Sequence, residues 1–169
     1  MRIGFVLADL FTGSSTSMLP AVASMFSEKD KDCLIVFPGG RLKSNFPLDR
    51  MKNSIYRLVN PDNLDGSIIW SSSLTANAGP EDVLNGFEKM AKLPMVTIDG
   101  KTKRFPEIPD VKFNAYEGSR YIVNHCIKEH GSKKIAYIRG PENHNSANER
   151  FQAYLDVLKE NGAPQIDTG

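Results

Sequence analysis

The feature that most constrains this chain is an alternation of short apolar runs with amphipathic helical patterns, joined by short polar connections. Runs typical of buried strands cover residues 3–8, 33–37, 67–70, 95–98 and 134–137, with a short extended piece at 111–113. Helical patterns follow at residues 18–26, 48–59, 81–91 and 115–130, and a last one ends at Gly162. This order predicts an α/β fold, in which a mostly parallel sheet is covered by helices on both faces.

The last strand and helix, residues 133–162, form the unit on which the prediction of a binding site rests. The apolar run stops at Gly140, and a loop rich in hydrogen-bonding side chains follows at residues 142–150. Apolar residues with the spacing of one helix face come next: Phe151, Tyr154, Leu155 and Leu158. Ligands of open α/β sheets bind outside the carboxyl ends of the strands, so we expect this loop to hold a small molecule.

Composition argues for a soluble globular chain and against nucleic acid as a direct partner. Of the 169 residues, 40% are hydrophobic and 24% are charged, which is ordinary for a globular protein. Basic and acidic residues number 21 and 20, giving a formal charge of +1, and the densest basic run, residues 101–104, is short. We therefore predict no nucleic-acid contact by this segment.

The termini and cysteines point to a cytoplasmic chain without a bound metal or cofactor. The amino terminus lacks a cleavage site and is interpreted as a first strand, not as a signal peptide, and no apolar run approaches the length of a membrane span. The two cysteines, Cys33 and Cys126, have no metal-type spacing. We predict a cytoplasmic location and no membrane contact.

The sequence contains no recognisable catalytic constellation. The connection after the first strand, ADLFTGSST, has neither the GxGxxG pattern of dinucleotide folds nor the GxxxxGK[ST] pattern of phosphate-binding loops. A GxSxG elbow is absent, and the three histidines, His125, His130 and His144, have no nucleophile at a recognisable spacing. We predict that the chain is not an enzyme. We also predict that His125, in an apolar helix, is a packing residue and that Cys33 belongs to the core.

Polar and aromatic residues instead follow successive predicted strands, as expected of a small-molecule pocket. Carboxylate, guanidinium and amide groups can hydrogen-bond vicinal hydroxyls, and an aromatic ring can stack on a sugar or a base. The predicted ligand-binding residues are Asp9, Phe11, Trp70, Ser72, Asp99, Phe113, Asn145 and Arg150. Some of these have a structural alternative, since Trp70 could serve only to pack the sheet. A sugar, polyol or nucleoside would suit the set.

Several segments resemble the effector domain of the LacI/GalR repressors, which has the type I fold of periplasmic binding proteins. They are NLDGSIIWSSS, LPMVTID, VKFNAYEGSRYIVNHCIKEHG and KKIAYIRGP with ERFQAYLDVLKENG after it. The resemblance implies a two-lobed, hinged ligand binder. It also implies that Asp99 and Arg150 are polar ligand contacts and that Phe113 is an aromatic residue near the pocket.

A second resemblance concerns the branch of the family. The stretches FPGGRL and RMKNSIYRLVN resemble sensor domains of bacterial diguanylate cyclases and hybrid histidine kinases, and Met1 is followed at once by the first strand with no helix-turn-helix before it. We therefore expect a cytoplasmic small-molecule sensor that acts on an output domain by lobe closure. The alternative is the effector domain of a LacI-type repressor lacking its DNA-binding headpiece.

The resemblance also predicts how the chain is divided. Residues 1–132 would form the amino-terminal lobe, and residues 133–169 would begin a carboxyl-terminal lobe that continues beyond this sequence. The apolar side chains of residues 133–162 would then lack packing partners from the rest of that lobe, so we expect a homodimer. The strand at residues 134–139 would either join the edge of the first lobe's sheet or be exchanged between two chains. Ligand affinity should be weak.

Overall fold

The computed structural model describes residues 1–11, 13–26, 32–75, 79–90, 92–100, 103–104, 106–142 and 144–165. The chain forms two compact units, Met1–Lys112 and Phe113–Gly169, called unit 1 and unit 2 below. The division falls after Lys112, whereas the sequence placed the start of the second lobe at residue 133. The assignment of lobes stays a prediction.

Unit 1 contains a five-stranded sheet in the order β2-β1-β3-β4-β5. The strands are β1 (Arg2–Leu7), β2 (Cys33–Pro38), β3 (Gly66–Trp70), β4 (Met95–Ile98) and β5 (Asp110–Val111). Every neighbouring pair is parallel; in β1, Phe5 is in register with Val36 of β2 on one side and with Ile68 of β3 on the other. The predicted α/β class and its mostly parallel sheet are confirmed.

The helices of unit 1 differ from the predicted ones mainly at their ends. They are α1 (Ser15–Ala23), α2 (Pro47–Lys52), α3 (Ser71–Leu74) and α4 (Pro80–Met90), and a 3₁₀ helix (Asn53–Leu58) continues directly from α2. The single helix predicted at residues 48–59 therefore tightens halfway along its length. Pro47 starts α2, as its fixed φ favours in a first turn. The short helix α3 lies where the sequence predicted a loop.

Two apolar clusters cover the two faces of the sheet. Because side chains alternate along a strand, Phe5 and Leu7 of β1 point to one face and Val6 to the other. Phe5 and Leu7 pack with Trp70 and Ile98, and α1 covers them. The cluster around Val6 is covered by α4 and by the 3₁₀ helix, and its buried members include Phe37, Tyr56, Leu74, Val83 and Phe87. The predicted helices on both faces are thus present.

Unit 2 is built from two packed helices, α5 (Ala115–Lys128) and α6 (Asn145–Glu160). Val123 of α5 packs against Tyr154, Val157 and Leu158 of α6. Partly buried residues complete this cluster: Ile127, Ile135, Tyr137, Phe151, Leu155 and Ala163. Tyr137 stacks on Tyr154 with ring centroids 4.8 Å apart. The cluster is rich in aromatic rings.

The segment at residues 133–139 has no regular secondary structure and pairs with no strand, so the strand predicted at 134–137 is wrong. Ile135 and Tyr137 turn towards the helices, whereas Ile138 is 98% exposed. A strand is defined by its ladder of hydrogen bonds, and apolar alternation alone does not create one. The segment is also not part of the sheet of unit 1, so the predicted addition to its edge is not observed.

Two residues predicted to be buried are exposed. Cys33 opens β2, a strand at the edge of the sheet, and it is exposed. His125 lies on the open face of α5, because Val123 takes the buried position of that turn. Among the helices of the part that the structure describes, none combines the length and apolar character that a membrane crossing needs.

Candidate functional site

The candidate site lies at the edge of unit 1 where the parallel strands have their carboxyl ends. The chain leaves β1 towards β2 on one side and returns to β3 on the other, so β1 and β3 flank the point where the strand order reverses. Ligands of doubly wound sheets bind at such a point. The amide of Ala8 donates to Ser73 Oγ at 3.3 Å, which joins the loops after β1 and β3.

The neighbouring part of this edge, between β1 and β2, is filled by Tyr56. Its hydroxyl oxygen lies 3.0 Å from the carbonyl oxygen of Leu7 and 3.1 Å from that of Gly40, so the two acceptors share its one hydrogen. A Cβ at Gly39 would lie 2.3 Å from the Tyr56 ring, so the glycine allows this close approach. Burial raises the pKa of Tyr56 above its usual value, and the hydroxyl stays protonated and able to donate. The polar residues that could contact a ligand at this edge therefore come from the loops after β1, β3 and β4.

After β1, Asp9 and Phe11 form a tight local turn. The amide of Phe11 donates to Asp9 Oδ1 at 2.7 Å, a bond from an aspartate to the backbone two residues on that is typical of turns. The turn leaves the Phe11 ring 86% exposed. An exposed aromatic ring and a carboxylate thus lie close together in sequence at the carboxyl end of β1.

At the end of β3, Trp70 forms a hydrogen bond with Ser72. The indole Nε1 donates to Ser72 Oγ at 3.0 Å, and the indole ring stacks on Phe5 with centroids 6.5 Å apart. Trp70 is only 4% exposed and belongs to the core, which is the packing role that the sequence left open. Ser72 remains partly exposed in the first turn of α3.

After β4, Asp99 occupies a strained turn. Its φ is +54°, a left-handed conformation that is unfavourable for residues other than glycine. The amide of Asp99 donates to the carbonyl of Val111 at 2.9 Å. The next amide, that of Gly100, donates to Asp110 Oδ1 at 2.8 Å, and Thr97 Oγ1 donates to the same oxygen at 2.6 Å. Asp110 therefore fixes the turn that carries Asp99, a role that no sequence pattern indicated.

Gly100 also brings this turn close to the start of α3. A Cβ at Gly100 would lie 2.6 Å from the Cβ of Ser71, so a larger residue would push the two loops apart. Ser71 Oγ and Asp110 Oδ2 are buried, and neither has a hydrogen-bond partner among the described residues. Buried polar atoms are nearly always hydrogen-bonded, so two such atoms on either side of one glycine are unusual.

In unit 2 the predicted loop at residues 142–150 is wrong from Asn145 onward, because α6 begins there. The signal for an earlier start is His144, whose Nδ1 accepts from the Ala147 amide at 3.4 Å and caps the helix. Asn145 is the first residue of α6, and Arg150 lies one and a half turns further on with an exposed side chain. Phe113 precedes α5 and is 47% exposed.

Arg139 organises the turn before α6 and was not predicted. Its guanidinium donates to Glu142 Oε1 at 3.2 Å and to Asn148 Oδ1 at 3.0 Å. It also lies 4.7 Å from the centre of the Phe151 ring, within the range of a cation–π contact. An arginine directly after an apolar run has many possible roles, so the sequence alone could not single it out.

The predicted ligand residues are divided between the units. Asp9, Phe11, Trp70, Ser72 and Asp99 belong to unit 1, whereas Phe113, Asn145 and Arg150 belong to unit 2. Within unit 1 they follow β1, β3 and β4, as the sequence predicted for the carboxyl ends of the strands. No group of three or more potential metal ligands is present among the described residues. A shared role in binding one ligand stays a prediction.

Comparison with known proteins places this fold among transcriptional regulators. No family model matches the chain. The HTH-type transcriptional repressor PurR of Edwardsiella ictaluri (strain 93-146) is 30% identical over 97 residues, which are 57% of this chain and 27% of the relative. A LacI family transcriptional regulator from Mycobacterium smegmatis superposes with a TM-score of 0.73 over 97% of this chain, at 17% identity.

The fold is that of the LacI-type regulators. The Lac repressor dimer bound to operator and the anti-inducer ONPF has the same LacI-type fold, with a TM-score of 0.68 over 98% of this chain and 19% identity. The chain covers about half of each of these solved structures, 53% in both cases. The predicted fold, a LacI-type periplasmic-binding-protein-like arrangement, is confirmed, and the relatives are regulatory proteins.

Proposed function

We propose that the chain is the small-molecule-binding part of a cytoplasmic LacI-type transcriptional regulator and that it acts without enzymatic turnover. The observation that carries the proposal is the edge of unit 1 where Asp9, Ser72 and Asp99 follow β1, β3 and β4 within a LacI-type fold. The sequence favoured a sensor of signalling proteins, with the repressor as the alternative. The relatives named above are repressors and regulators, so the alternative is now preferred.

The chemistry of the edge favours a polyhydroxylated ligand, a sugar or a nucleoside. The Asp9 and Asp99 carboxylates accept hydrogen bonds from hydroxyl groups, and such charge-assisted bonds are the stronger kind. Ser71 Oγ and Asp110 Oδ2 add two buried polar atoms that have no described partner. The exposed Phe11 ring offers a face for stacking. Phe113, Asn145 and Arg150 are proposed as further ligand contacts.

Trp70 provides a native reporter for this site. It is the single tryptophan of the chain, and its indole is hydrogen-bonded to Ser72. A ligand that binds Ser72 should alter that bond and therefore the indole fluorescence. A panel of monosaccharides and nucleosides is titrated into the protein while the emission is recorded. We expect at least one compound to give a saturable change.

The variant Asp99→Asn tests the role of the carboxylate, with Asp62→Asn as its matched control. Asp62 lies in the turn before β3, at the opposite edge of the sheet. Loss of a charge-assisted hydrogen bond of about 1.5–3 kcal/mol should weaken binding by at least about tenfold in Asp99→Asn, whereas Asp62→Asn should bind as the wild type does. Equal affinities in both variants, or no saturable change with any compound, would contradict the proposal.

A homodimer is proposed as the assembly, in which an output domain of the full-length protein would respond to the ligand. The Lac repressor of the comparison is a dimer, which supports this choice. Multi-angle light scattering of the protein measures its mass directly, and a monomer at high concentration would exclude the dimer. If a dimer is found, its dissociation rate separates an exchange of residues 133–162, which must unfold locally, from a simple surface contact.

A further inference from the structure

Two histidines, one in the last turn of α5 and one just after it, face each other at hydrogen-bonding distance. The Nε2 atoms of His125 and His130 are 3.1 Å apart, and their rings are nearly perpendicular at 78°. Both side chains are exposed to solvent. The pair belongs to unit 2, whereas the candidate ligand edge belongs to unit 1.

The end of the helix brings the two rings together. The amide of Glu129 donates to the His125 carbonyl at 2.9 Å, which closes the last turn of α5. Gly131 then takes a left-handed φ of +62°, the usual way in which a glycine ends a helix. The amide of Ser132 donates to the Cys126 carbonyl at 3.0 Å and folds the chain back. His130 is thereby held above the turn that carries His125.

Tyr121 fixes the orientation of the first ring. It lies one turn before His125 on the same helix face, and the two rings stack with centroids 6.3 Å apart and an angle of 17° between their planes. The stacked ring directs its Nε2 towards His130. The geometry of the pair is therefore supported by the backbone on one side and by an aromatic contact on the other.

The distance between the nitrogens is that of two ligands on one metal ion. Imidazole nitrogens bind Zn²⁺ at about 2.0–2.1 Å, so two of them lie about 2.9 Å apart at a right angle and about 3.3 Å apart at a tetrahedral angle. The observed 3.1 Å falls between these values. Without a metal, one ring must donate a proton to the other, and the lone pair of one nitrogen has to face the N–H of its partner.

We propose that His125 and His130 form a surface site for a divalent transition-metal ion of the class that imidazole prefers, Zn²⁺, Ni²⁺ or Cu²⁺. The pair supplies two ligands, and the described residues offer no group of three. Water completes the coordination, so the ion exchanges readily. By joining residues 125 and 130 it also clamps the end of α5.

The test is a titration of Ni²⁺ into the protein, prepared without an affinity tag and freed of metal with a chelator. Isothermal calorimetry should give one ion per chain. His125→Gln and His130→Gln each remove one ligand, and each should weaken binding by about tenfold or more, at least as much as the loss of an outer-shell partner. Both positions are exposed, so the melting temperature without metal should stay close to that of the wild type.

The third histidine supplies the matched control. His144 caps α6, and His144→Asn keeps a good capping residue while removing an imidazole. This variant should bind Ni²⁺ as tightly as the wild type. Zn²⁺ titration of the wild type, followed through the ¹⁵N signals of the imidazoles, locates the ion without any substitution and should shift only His125 and His130. No binding up to about 1 mM, unchanged affinity in both glutamine variants, or shifts centred on His144 would overturn the proposal.

Discussion

Unit 1 buries its apolar residues on both faces of a hydrogen-bonded sheet. Unit 2 buries them between two helices and the segment at residues 133–139, which belongs to no sheet. In unit 1 the backbone of every strand is paired with a neighbour. In unit 2 no backbone amide of residues 133–139 donates to a described residue, and the Ile135 carbonyl accepts from a side chain, the hydroxyl of Tyr154, at 2.8 Å. The same apolar alternation thus gives a strand only where a partner strand exists.

The largest contrast is expected in amide hydrogen exchange. Amides of β1 and β3 lie in the middle of the sheet and should exchange only through global unfolding, which costs about 5 kcal/mol or more. Amides of residues 134–139 should exchange with little protection, at least about a thousandfold faster by the same figure. Mass spectrometry of exchanged peptides resolves the two regions in one sample. Equal protection would mean that residues 134–139 are paired in solution and that the contrast between the units is wrong.

The next effect concerns the packing of the sheet in unit 1. Phe5 is fully buried against Trp70, so Phe5→Ala should lower the free energy of unfolding by about 3–5 kcal/mol through lost contacts and a new cavity. Urea unfolding followed by circular dichroism measures this loss. Phe11→Ala makes the same chemical change at an exposed ring and should change the stability by less than about 0.5 kcal/mol. Similar losses in the two variants would contradict the assignment of the core.

A matched pair of tyrosines compares the two units at a single atom. The Tyr56 hydroxyl serves two backbone carbonyls in unit 1, and the Tyr154 hydroxyl serves one in unit 2. Tyr56→Phe leaves the buried Gly40 carbonyl without its hydroxyl donor, while the Leu7 carbonyl keeps the Gly39 amide at 3.1 Å, and should cost about 1–3 kcal/mol. Tyr154→Phe should cost about 1 kcal/mol. The measurement is the urea midpoint at constant slope. A larger loss for Tyr154→Phe would show that the bond to the Ile135 carbonyl stabilises unit 2 more than the Tyr56 hydroxyl stabilises unit 1.

The smallest effect is electrostatic and belongs to unit 2. Arg120 holds Glu160 with two hydrogen bonds of 2.7 Å, and this guanidinium lowers the pKa of Glu160. A folded pKa below the unfolded value means that the pair stabilises the protein above the unfolded pKa, and that this contribution disappears as the pH falls through the folded pKa.

Glu160→Gln should therefore destabilise slightly at neutral pH and reduce the loss of stability on acidification. Urea midpoints measured from about pH 7 to about pH 3 follow both changes. Asp156, whose pKa is lowered first by the Tyr116 hydroxyl, retains its own acid dependence in this variant. Glu107→Gln, in an exposed loop of unit 1, is the control. An acid limb of unchanged slope in Glu160→Gln would exclude the pair as its source.

The contrast between the units also explains which elements the sequence could predict. Residues 95–98 were predicted as a strand and form β4 with the same bounds, because an apolar run buried on both faces has few alternatives. Residues 134–137 have the same type of sequence but no neighbouring strand. Whether such a run pairs depends on the rest of the fold, which local patterns do not contain. The late start predicted for α6 has another cause, the capping role of His144, which a histidine seldom plays.

The position of the candidate site could be predicted from the sequence, but the residues that hold its loops in place could not. Asp9 and Asp99 could be selected because a rule of parallel sheets assigns ligands to the ends of strands. Tyr56 and Asp110 were missed because their hydrogen bonds join separate segments, such as Tyr56 with Leu7 and Asp110 with Gly100. Arg139 was missed because an arginine after an apolar run has many possible roles. The His125–His130 pair was missed because a helix position near apolar residues suggested that His125 is buried.

The backbone conformation of Asp99 limits how this position can evolve. A left-handed residue with a side chain costs about 1–2 kcal/mol relative to glycine, although aspartate tolerates it better than most. Glycine would remove that cost and the carboxylate in one step, so Asp99→Gly would give a more stable protein that lacks the proposed ligand contact. A lineage that no longer senses the ligand is expected to accept this exchange early, and one that still depends on the ligand is expected to reject it. Residue 99 would then act as a record of selection for binding.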